Sequence, residues 1–371
     1  MPGQISEQEF DNLFTAQRTI IDVRSPVEFA NGSVPGSINL PILDDEQRRL
    51  VGIEYKQRGQ SAAVALGNEL VSGDLRSQRL LAWRDIVNRH PDACIACFRG
   101  GLRSRTAQSW LRDAAIDCPL ITGGYKALRN HLLHRIDAIS RTSRFLVVAG
   151  KTGCAKTHFL AEFGNSIDLE GRARHRGSAF GTRVQEQPSQ ATFENQVASD
   201  LIRQQQKYDW LMLEDESRAI GSLSVPVPLH KRMKESALVQ IEESLEFRSR
   251  TILQDYVLGN LKDFKTADPD NASQLFAAYL TGSLSKIARR LGGDRYKQVL
   301  ELMEKALAAS PGAEAEAAHL EWIQFLLSHY YDPMYDYQLE GKRDRLVFSG
   351  TWEETRQWCE DRLEGDIAIH D

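Results

Sequence analysis

Two short segments carry residue types whose spacing can do chemistry. In Cys97-Phe98-Arg99-Gly100-Gly101-Leu102-Arg103-Ser104, a cysteine that ends an apolar run is followed by two glycines, two arginines and a serine. Glycines let successive backbone N–H groups curl toward one point. The helical pattern from Thr106 to Leu111 would add the positive end of its dipole, and Arg99 and Arg103 would add full charges. Such a cradle holds an anion and favours the thiolate, which makes Cys97 a candidate nucleophile. A plain buried cysteine beside a glycine turn would not need the arginines. The second segment is Gly150-Lys151-Thr152-Gly153-Cys154-Ala155-Lys156-Thr157, which matches G-x-x-x-x-G-K-[ST] except at Ala155. The N–H groups of such a turn wrap phosphates, Lys156 reaches the terminal ones and Thr157 can ligate Mg²⁺. This is the signal of a P-loop, for a diphosphate or triphosphate, and says nothing by itself about hydrolysis.

Further groups sit where they would serve that turn. The apolar run Trp210–Leu213 ends in Glu214-Asp215-Glu216, so Glu214 or Asp215 is a candidate Walker-B acid, with Thr157 and Asp215 the expected Mg²⁺ residues. Between the two lies a glycine-punctuated stretch, Asp168 to Gly181, holding Arg172, Arg174, His175 and Arg176. These suit a phosphate or an RNA backbone; an ordinary charged surface is the alternative. Cys94 and Cys97 form a lone C-x-x-C, too little for zinc, leaving a resolving thiol or a buried structural one for Cys94.

The elements that must position these residues read as α/β. In the first region, to about 137, the strands Thr19–Val23 and Ala93–Ala96 alternate with helical patterns at 45–56 and 77–89. A second region, 138–230, carries the strand Phe145–Ala149 ahead of the glycine turn, with 136–143 as a plausible linker. From 231 to 371 helical periodicity dominates, at 296–310 and 320–331, with a late strand at Leu346–Gly350. The chain has 371 residues, 42% hydrophobic and 26% charged, which excludes a disordered or fibrous protein. No apolar run is long enough for a membrane helix, and the N-terminal MPGQISEQEF has no signal-peptide pattern, so a cytoplasmic protein is expected. Five scattered cysteines make no disulfide framework.

The stretch Ile21-Asp22-Val23-Arg24-Ser25-Pro26-Val27-Glu28-Phe29, continuing through Gly32-Ser33-Val34-Pro35-Gly36-Ser37-Ile38-Asn39-Leu40-Pro41, resembles the rhodanese signature, and Thr122-Gly123-Gly124-Tyr125 resembles the end of that domain. The resemblance implies a catalytic cysteine that carries a chalcogen, and Cys97 stands in its place. The usual sulfurtransferase loop has four residues between cysteine and arginine, whereas Cys97 to Arg103 has five. That wider spacing resembles the loop of cysteine phosphatases and suits a tetrahedral, phosphate-like anion; a phosphatase is the other reading of this loop, although Ala96 stands where its usual histidine would be.

A rhodanese domain followed by a P-loop domain, together with DLEGRARHRGSAFG (168–181), EDESRAIG (214–221) and YYDPMYDYQL (330–339), resembles the tRNA 2-selenouridine synthase family over almost the whole chain. The family implies a transferase that turns wobble 2-thiouridine of tRNA into 2-selenouridine in two steps. Geranyl diphosphate first alkylates the sulfur. Selenium from selenophosphate, carried by the cysteine as a perselenide, then displaces the geranylthio group. The implied substrates are selenophosphate and geranyl diphosphate, with no tightly bound cofactor and Mg²⁺ as an option. The implied partner is the tRNA anticodon arm, with selenophosphate synthetase a candidate supplier.

The net charge of −5 argues against a generic nucleic-acid coat, yet residues 97–145 hold nine basic and three acidic side chains. Seven acids fall in 352–371, so charge is segregated and a basic cleft for RNA is expected. Residues 283–301 resemble a helix-turn-helix around Gly292-Gly293, and the aromatic run Tyr330–Tyr337 either stacks bases or ends a packed helix before Pro333. Two other function classes stay open: a chalcogen carrier whose P-loop domain is a regulatory switch, and a sulfurtransferase joined to a small-molecule kinase.

Overall fold

The computed structural model describes residues 3–363. They form two compact units, one running to Ile139 and including Ser189–Gln206, the other made of Ser140–Pro188 and the chain from Lys207 onward. Among the described residues no helix is long and apolar enough to cross a membrane. The acids beyond residue 363 lie outside the described residues.

The first unit is built on five parallel strands, β1 (Gln4–Ile5), β2 (Ile20–Asp22), β3 (Ser37–Asn39), β4 (Cys94–Ala96) and β5 (Leu120–Ile121), in the order β1-β5-β4-β2-β3. All three residues of the central β4 are buried, as a parallel strand covered on both faces requires. Trp83 of helix Gly73–Arg89 and Trp110 of helix Leu102–Asp113 stack with ring centroids 5.8 Å apart in this core. The helical pattern at 45–56 extends to a helix Asp45–Leu70, broken at Gly59, whose φ of 81° costs a residue without Cβ little.

Much of the rhodanese-like signature is scaffolding. Arg24 is 1% exposed; its guanidinium pairs with Asp22 at 2.6 Å, donates to the Gly32 carbonyl at 2.7 Å and lies 3.8 Å above the Tyr125 ring. Asn39 donates to the carbonyls of Asp22 and Arg24 at 3.1 and 2.8 Å. Ser25 and Glu28 form a capping box on helix Pro26–Ala30.

Two expectations are corrected here. Residues 136–143 are no linker: they are mostly the last turns of helix Gly124–Thr142, because Leu128, Leu132, Ile136 and Ile139 continue one buried helical face. Helix Gln190–Gln205 follows the glycine-rich arginine stretch in sequence yet belongs to the first unit. There Arg129 donates to Asn195 Oδ1 at 3.0 Å and pairs with Glu194, and the Ser33 N–H donates to Thr192 Oγ1 at 3.0 Å.

The second unit has its own five-stranded parallel sheet of β6 (Arg144–Gly150), β7 (Ser166–Ile167), β8 (Trp210–Glu214), β11 (Ala237–Ile241) and β12 (Leu346–Gly350), in the order β12-β11-β6-β8-β7; β9 (Ala219–Ile220) and β10 (Leu223–Ser224) make a separate antiparallel pair. The region from 231 onward therefore completes the P-loop sheet as well as adding helices. Val148 of β6 is in register with Glu214 of β8, so the glycine turn and the strand-end acids share the carboxyl edge where parallel sheets take ligands.

The helix-turn-helix resemblance is a packing pair. Leu284, Ile287 and Leu291 of helix Ala272–Leu291 and Val299 and Met303 of helix Gly293–Ala308 are all buried in one apolar cluster. Pro333 does not end the aromatic segment. It falls in the first turn of helix Asp332–Glu340, where proline has no N–H to lose, directly after a π-helical turn at Leu327–Tyr331.

Candidate functional site

Cys97 follows β4 and precedes the N-terminus of helix Leu102–Asp113. The Gly101 N–H points at its sulfur at 3.3 Å, and Ser104 Oγ lies 3.1 Å from it. The sulfur thus sits against the N-cap amide of the helix and beside a hydroxyl that also donates to the Gly101 carbonyl at 3.1 Å. The residue is 3% exposed, so its sulfur is almost wholly covered in this structure. The loop closes against Thr122–Tyr125: the Tyr125 N–H donates to the Cys97 carbonyl at 2.8 Å and the Lys126 N–H to that of Phe98 at 3.0 Å. A Cβ on Gly124 would stand 2.1 Å from the Cys97 carbonyl oxygen, which is why the two Gly-Gly pairs face one another.

The arginines of this loop differ. Arg99 is exposed, its guanidinium 5.8 Å from the Phe98 ring centroid. Arg103 is held by Glu28, with nitrogen–oxygen distances of 2.5 and 3.1 Å, and Arg48 adds a contact to the same carboxylate at 3.1 Å. Desolvation opposes the charge of Glu28, but Arg103, the Ser25 N–H and Arg48 overcome it and hold its pKa down to about 2. Arg103 therefore braces the loop with a charge already matched. Leu102 is half-exposed and, with Arg103 and Glu28, edges a cleft of about 800 Å³ whose other wall is helix Asp45–Leu70; Cys97 itself does not line it. Burial pushes the thiols of Cys94 and Cys118 up to about 12, which fits a structural cysteine at 94.

The basic count around the loop shrinks in three dimensions. Arg103, Arg129 and Arg135 are engaged by Glu28, Glu194 and Asp11 within the unit. Arg99, Arg105, Arg112 and Lys126 stay exposed.

In the second unit the turn after β6 forms the floor of a cup of about 300 Å³. Thr152, Gly153, Ala155, Lys156 and Thr157 line it from one side, and Arg176, Gly177, Ser178, Arg183, Glu170, Glu216, Tyr256 and Tyr335 from others. Ala155 takes a left-handed φ of 64°, the conformation glycine would hold at no cost, so the motif's geometry survives its substitution. Cys154, fully buried with its thiol pushed up by burial, packs so close to Gly150 that a Cβ there would stand 2.5 Å from its sulfur. A Cβ on Gly153 would meet the Arg248 carbonyl oxygen at 2.5 Å. Arg248 in turn donates to the Thr152 carbonyl at 3.3 Å and pairs with Asp332 at 2.7 and 2.8 Å, while Lys151 pairs with Asp336 at 2.7 Å. Lys156 Nζ donates to the Gly150 carbonyl at 2.9 Å and sits 5.7 Å from the Tyr335 ring centroid.

The acids sort differently from the sequence expectation. Asp215 is tied to Lys342 at 2.5 Å. Glu214, 1% exposed, has neither carboxylate oxygen hydrogen-bonded, and its oxygens lie within 4.8 Å of those of Glu170 and Glu216. Burial raises the pKa of Glu214 well above the carboxylate range, and burial with Glu170 beside it raises that of Glu216 to about 8. Thr157 Oγ1 donates to Glu170 at 3.2 Å, which joins the hydroxyl of the motif to this cluster. An orphaned buried carboxylate among two others fits a divalent cation, with Glu170, Glu214 and Glu216 as the residues able to hold it.

Of the four basic residues expected to meet substrate, only Arg176 lines the cup; it donates to Asn260 Oδ1 at 3.0 Å and lies 4.9 Å from the Tyr256 ring centroid. Arg174 donates to the Glu186 carbonyl at 3.3 Å. His175 is buried, its pKa lowered by that burial, and neither it nor Arg172 lines the cup. Sequence reasoning missed Glu170, Arg183, Glu216 and Tyr256 as cup residues, and had Tyr335 only as part of the aromatic run 330–337. Glu170 lies inside the quoted DLEG run, and Arg183 only two residues past its final glycine.

A rhodanese-like family profile matches residues 6–131, and the profile of the tRNA 2-selenouridine synthase AAA domain matches residues 143–365. The tRNA 2-selenouridine synthase of Azotobacter vinelandii is 47% identical, over 92% of this chain and 93% of its own. Those of Marinobacter nauticus and Pseudomonas fluorescens are 43% and 44% identical, over 98% and 92% of this chain and 99% and 94% of theirs. With both units matched and relatives aligned nearly end to end, the chain belongs to the tRNA 2-selenouridine synthase family.

Proposed function

We propose that this protein converts 2-thiouridine at the wobble position of tRNA into 2-selenouridine by two transfers, one served by each unit. The P-loop cup holds the diphosphate of geranyl diphosphate. The uridine sulfur attacks C1 of the geranyl group, the C1–O bond breaks, diphosphate leaves, and N3 gives up its proton. Lys156, Arg176 and Arg183 supply positive charge where the leaving diphosphate gains negative charge. A divalent cation, Mg²⁺ by its preference for carboxylates and phosphates, would add to that neutralisation from the Glu170, Glu214 and Glu216 side.

In the second transfer the Cys97 thiolate attacks the phosphorus of selenophosphate: an S–P bond forms, the P–Se bond breaks, selenium leaves as hydroselenide with its oxidation level unchanged, and water then cleaves the S–P bond to restore the cysteine. The S-geranyl group makes the C2 substituent a better leaving group than a thione. Selenium bonds to C2 and geranylthiol departs; overall one water takes the phosphoryl group as phosphate, so the exchange is redox-neutral. The exposed Arg105 and Lys126 near this loop suit tRNA phosphates, and the exposed Arg99 within it suits the selenophosphate anion.

The observation that carries the reading is the pairing, in one chain, of a sulfur held by Gly101 and Ser104 with a lysine-bearing phosphate cup whose walls are partly aromatic. Mass analysis of tRNA nucleosides tests it. Incubation with geranyl diphosphate should yield S-geranyl-2-thiouridine, and later addition of selenophosphate should convert that to 2-selenouridine. Direct appearance of 2-selenouridine without geranyl diphosphate would contradict the order of steps.

A further inference from the structure

The phosphate cup is not closed on its apolar side. It shares Thr152, Ser178, Ile252 and Tyr256 with a second, mostly apolar slot. Beyond that common mouth the slot is lined by Phe180, Trp322, Ile323, Leu326, Leu327 and Tyr331. Phe180 and Trp322, which do not line the cup, stack with ring centroids 5.9 Å apart and planes 24° from parallel. As it stands the slot encloses about 20 Å³, room for a single water at most, so side chains must swing for anything larger to enter.

The backbone on both sides of the slot is unusual. Tyr256 comes from a π-helical segment, Leu253–Leu258, and Leu327 and Tyr331 from another, Leu327–Tyr331. Such turns are rare and concentrate at functional sites, because they hold an extra residue that the regular helix would not accommodate. Two of them facing one apolar slot, next to a phosphate cup, is hard to account for by packing alone.

We propose that this slot receives the hydrocarbon tail of the prenyl diphosphate, and that the stacked Phe180–Trp322 pair in its lining sets the tail length accepted. The proposal rests on the reading of the cup as a prenyl-diphosphate site. A charged head in the cup and an apolar tail in the slot make one continuous amphipathic cavity. The tail's entry replaces the side-chain contacts of the closed slot with its own, which ties tail binding to the seating of C1 over the cup. A shorter tail leaves the slot part-filled, and a longer one meets the stacked rings.

The test compares geranyl and farnesyl diphosphates as alkyl donors to 2-thiouridine-containing tRNA, using the full chain. Trp322→Ala deepens the slot and should shift the ratio of kcat/KM toward farnesyl by at least about tenfold, the scale on which apolar pockets read methylenes. Leu326→Phe narrows it, should lower geranyl use while sparing dimethylallyl diphosphate, and serves if the Trp322 variant fails to fold by circular dichroism. Inorganic pyrophosphate should compete equally well in the wild type and both variants, since the cup is untouched. Unaltered chain-length preference in a folded variant, with pyrophosphate still competing, overturns the slot alone. Failure of pyrophosphate to compete in the wild type overturns the prenyl-diphosphate reading and the slot with it.

Discussion

Replacing Glu28 with glutamine separates bracing from chemistry in the cysteine loop. Glu28 accepts both guanidinium nitrogens of Arg103, 75 residues away, and also meets Arg48. Its pKa is lowered from 4.5 to about 2, against the opposing effect of desolvation. At about 1.4 kcal/mol for each unit, that is roughly 3 kcal/mol of folding free energy. The Arg48 side chain is 47% exposed and Glu28 itself 14%, so solvent screening brings the expected value to about 2 kcal/mol. A lowered carboxylate contributes stability that is present above about pH 4.5 and lost as pH falls through about 2. The assay is urea unfolding of Glu28→Gln, Arg103→Gln and the double variant, with the coupling energy taken from the cycle. It should be about 1 kcal/mol at neutral pH, because the Ser25 N–H and Arg48 hold the rest of the lowered pKa, persist at pH 5, and decline only in stronger acid. A coupling below about 0.5 kcal/mol, or one already gone at pH 5, would refute the bracing argument.

Three further outcomes are expected. Mg²⁺ at a hundredfold excess over its dissociation constant should stabilise the wild type by about 2.7 kcal/mol, roughly 5–10 °C in thermal midpoint, and Glu214→Gln should lose most of that shift; equal shifts would remove the carboxylate cluster as the cation site. Ala155→Gly relieves a left-handed alanine and should stabilise by about 0.5–1 kcal/mol in urea, whereas a loss would contradict the observed φ. Because Arg103 is already paired and Arg99 is exposed, Arg99→Gln should raise the selenophosphate concentration needed for half-maximal selenium transfer more than Arg103→Gln does; the reverse order would make Arg103 the anion ligand.

The sequence made the two reactive segments legible because each is local. Cys97 with its glycines and Lys156 with its turn are contiguous, and the strand–turn–helix around each follows from short apolar runs and the turn chemistry between them. What the sequence hid was long-range. Nothing near Arg103 announces Glu28, and Asp215 reads as well as Glu214 until Lys342, 127 residues on, claims it. Helix Gln190–Gln205 has ordinary amphipathic spacing that cannot say which unit its face will cover. The region 136–143 read as a linker because its serines and arginine mask a buried face set by Ile136 and Ile139. The aromatic residues of 330–337 were visible as a cluster, but only packing puts Tyr335 over Lys156 and Tyr331 in the slot.

The division of labour between the two sites is the central claim, and nucleoside mass analysis of paired variants measures it most directly. Cys97→Ser should still form S-geranyl-2-thiouridine from geranyl diphosphate but yield no 2-selenouridine. Lys156→Ala should lower geranylation by about a hundredfold or more, yet convert pre-formed S-geranyl-2-thiouridine tRNA when given selenophosphate. Loss of both steps in either folded variant, or selenium incorporation by Cys97→Ser, would contradict the account.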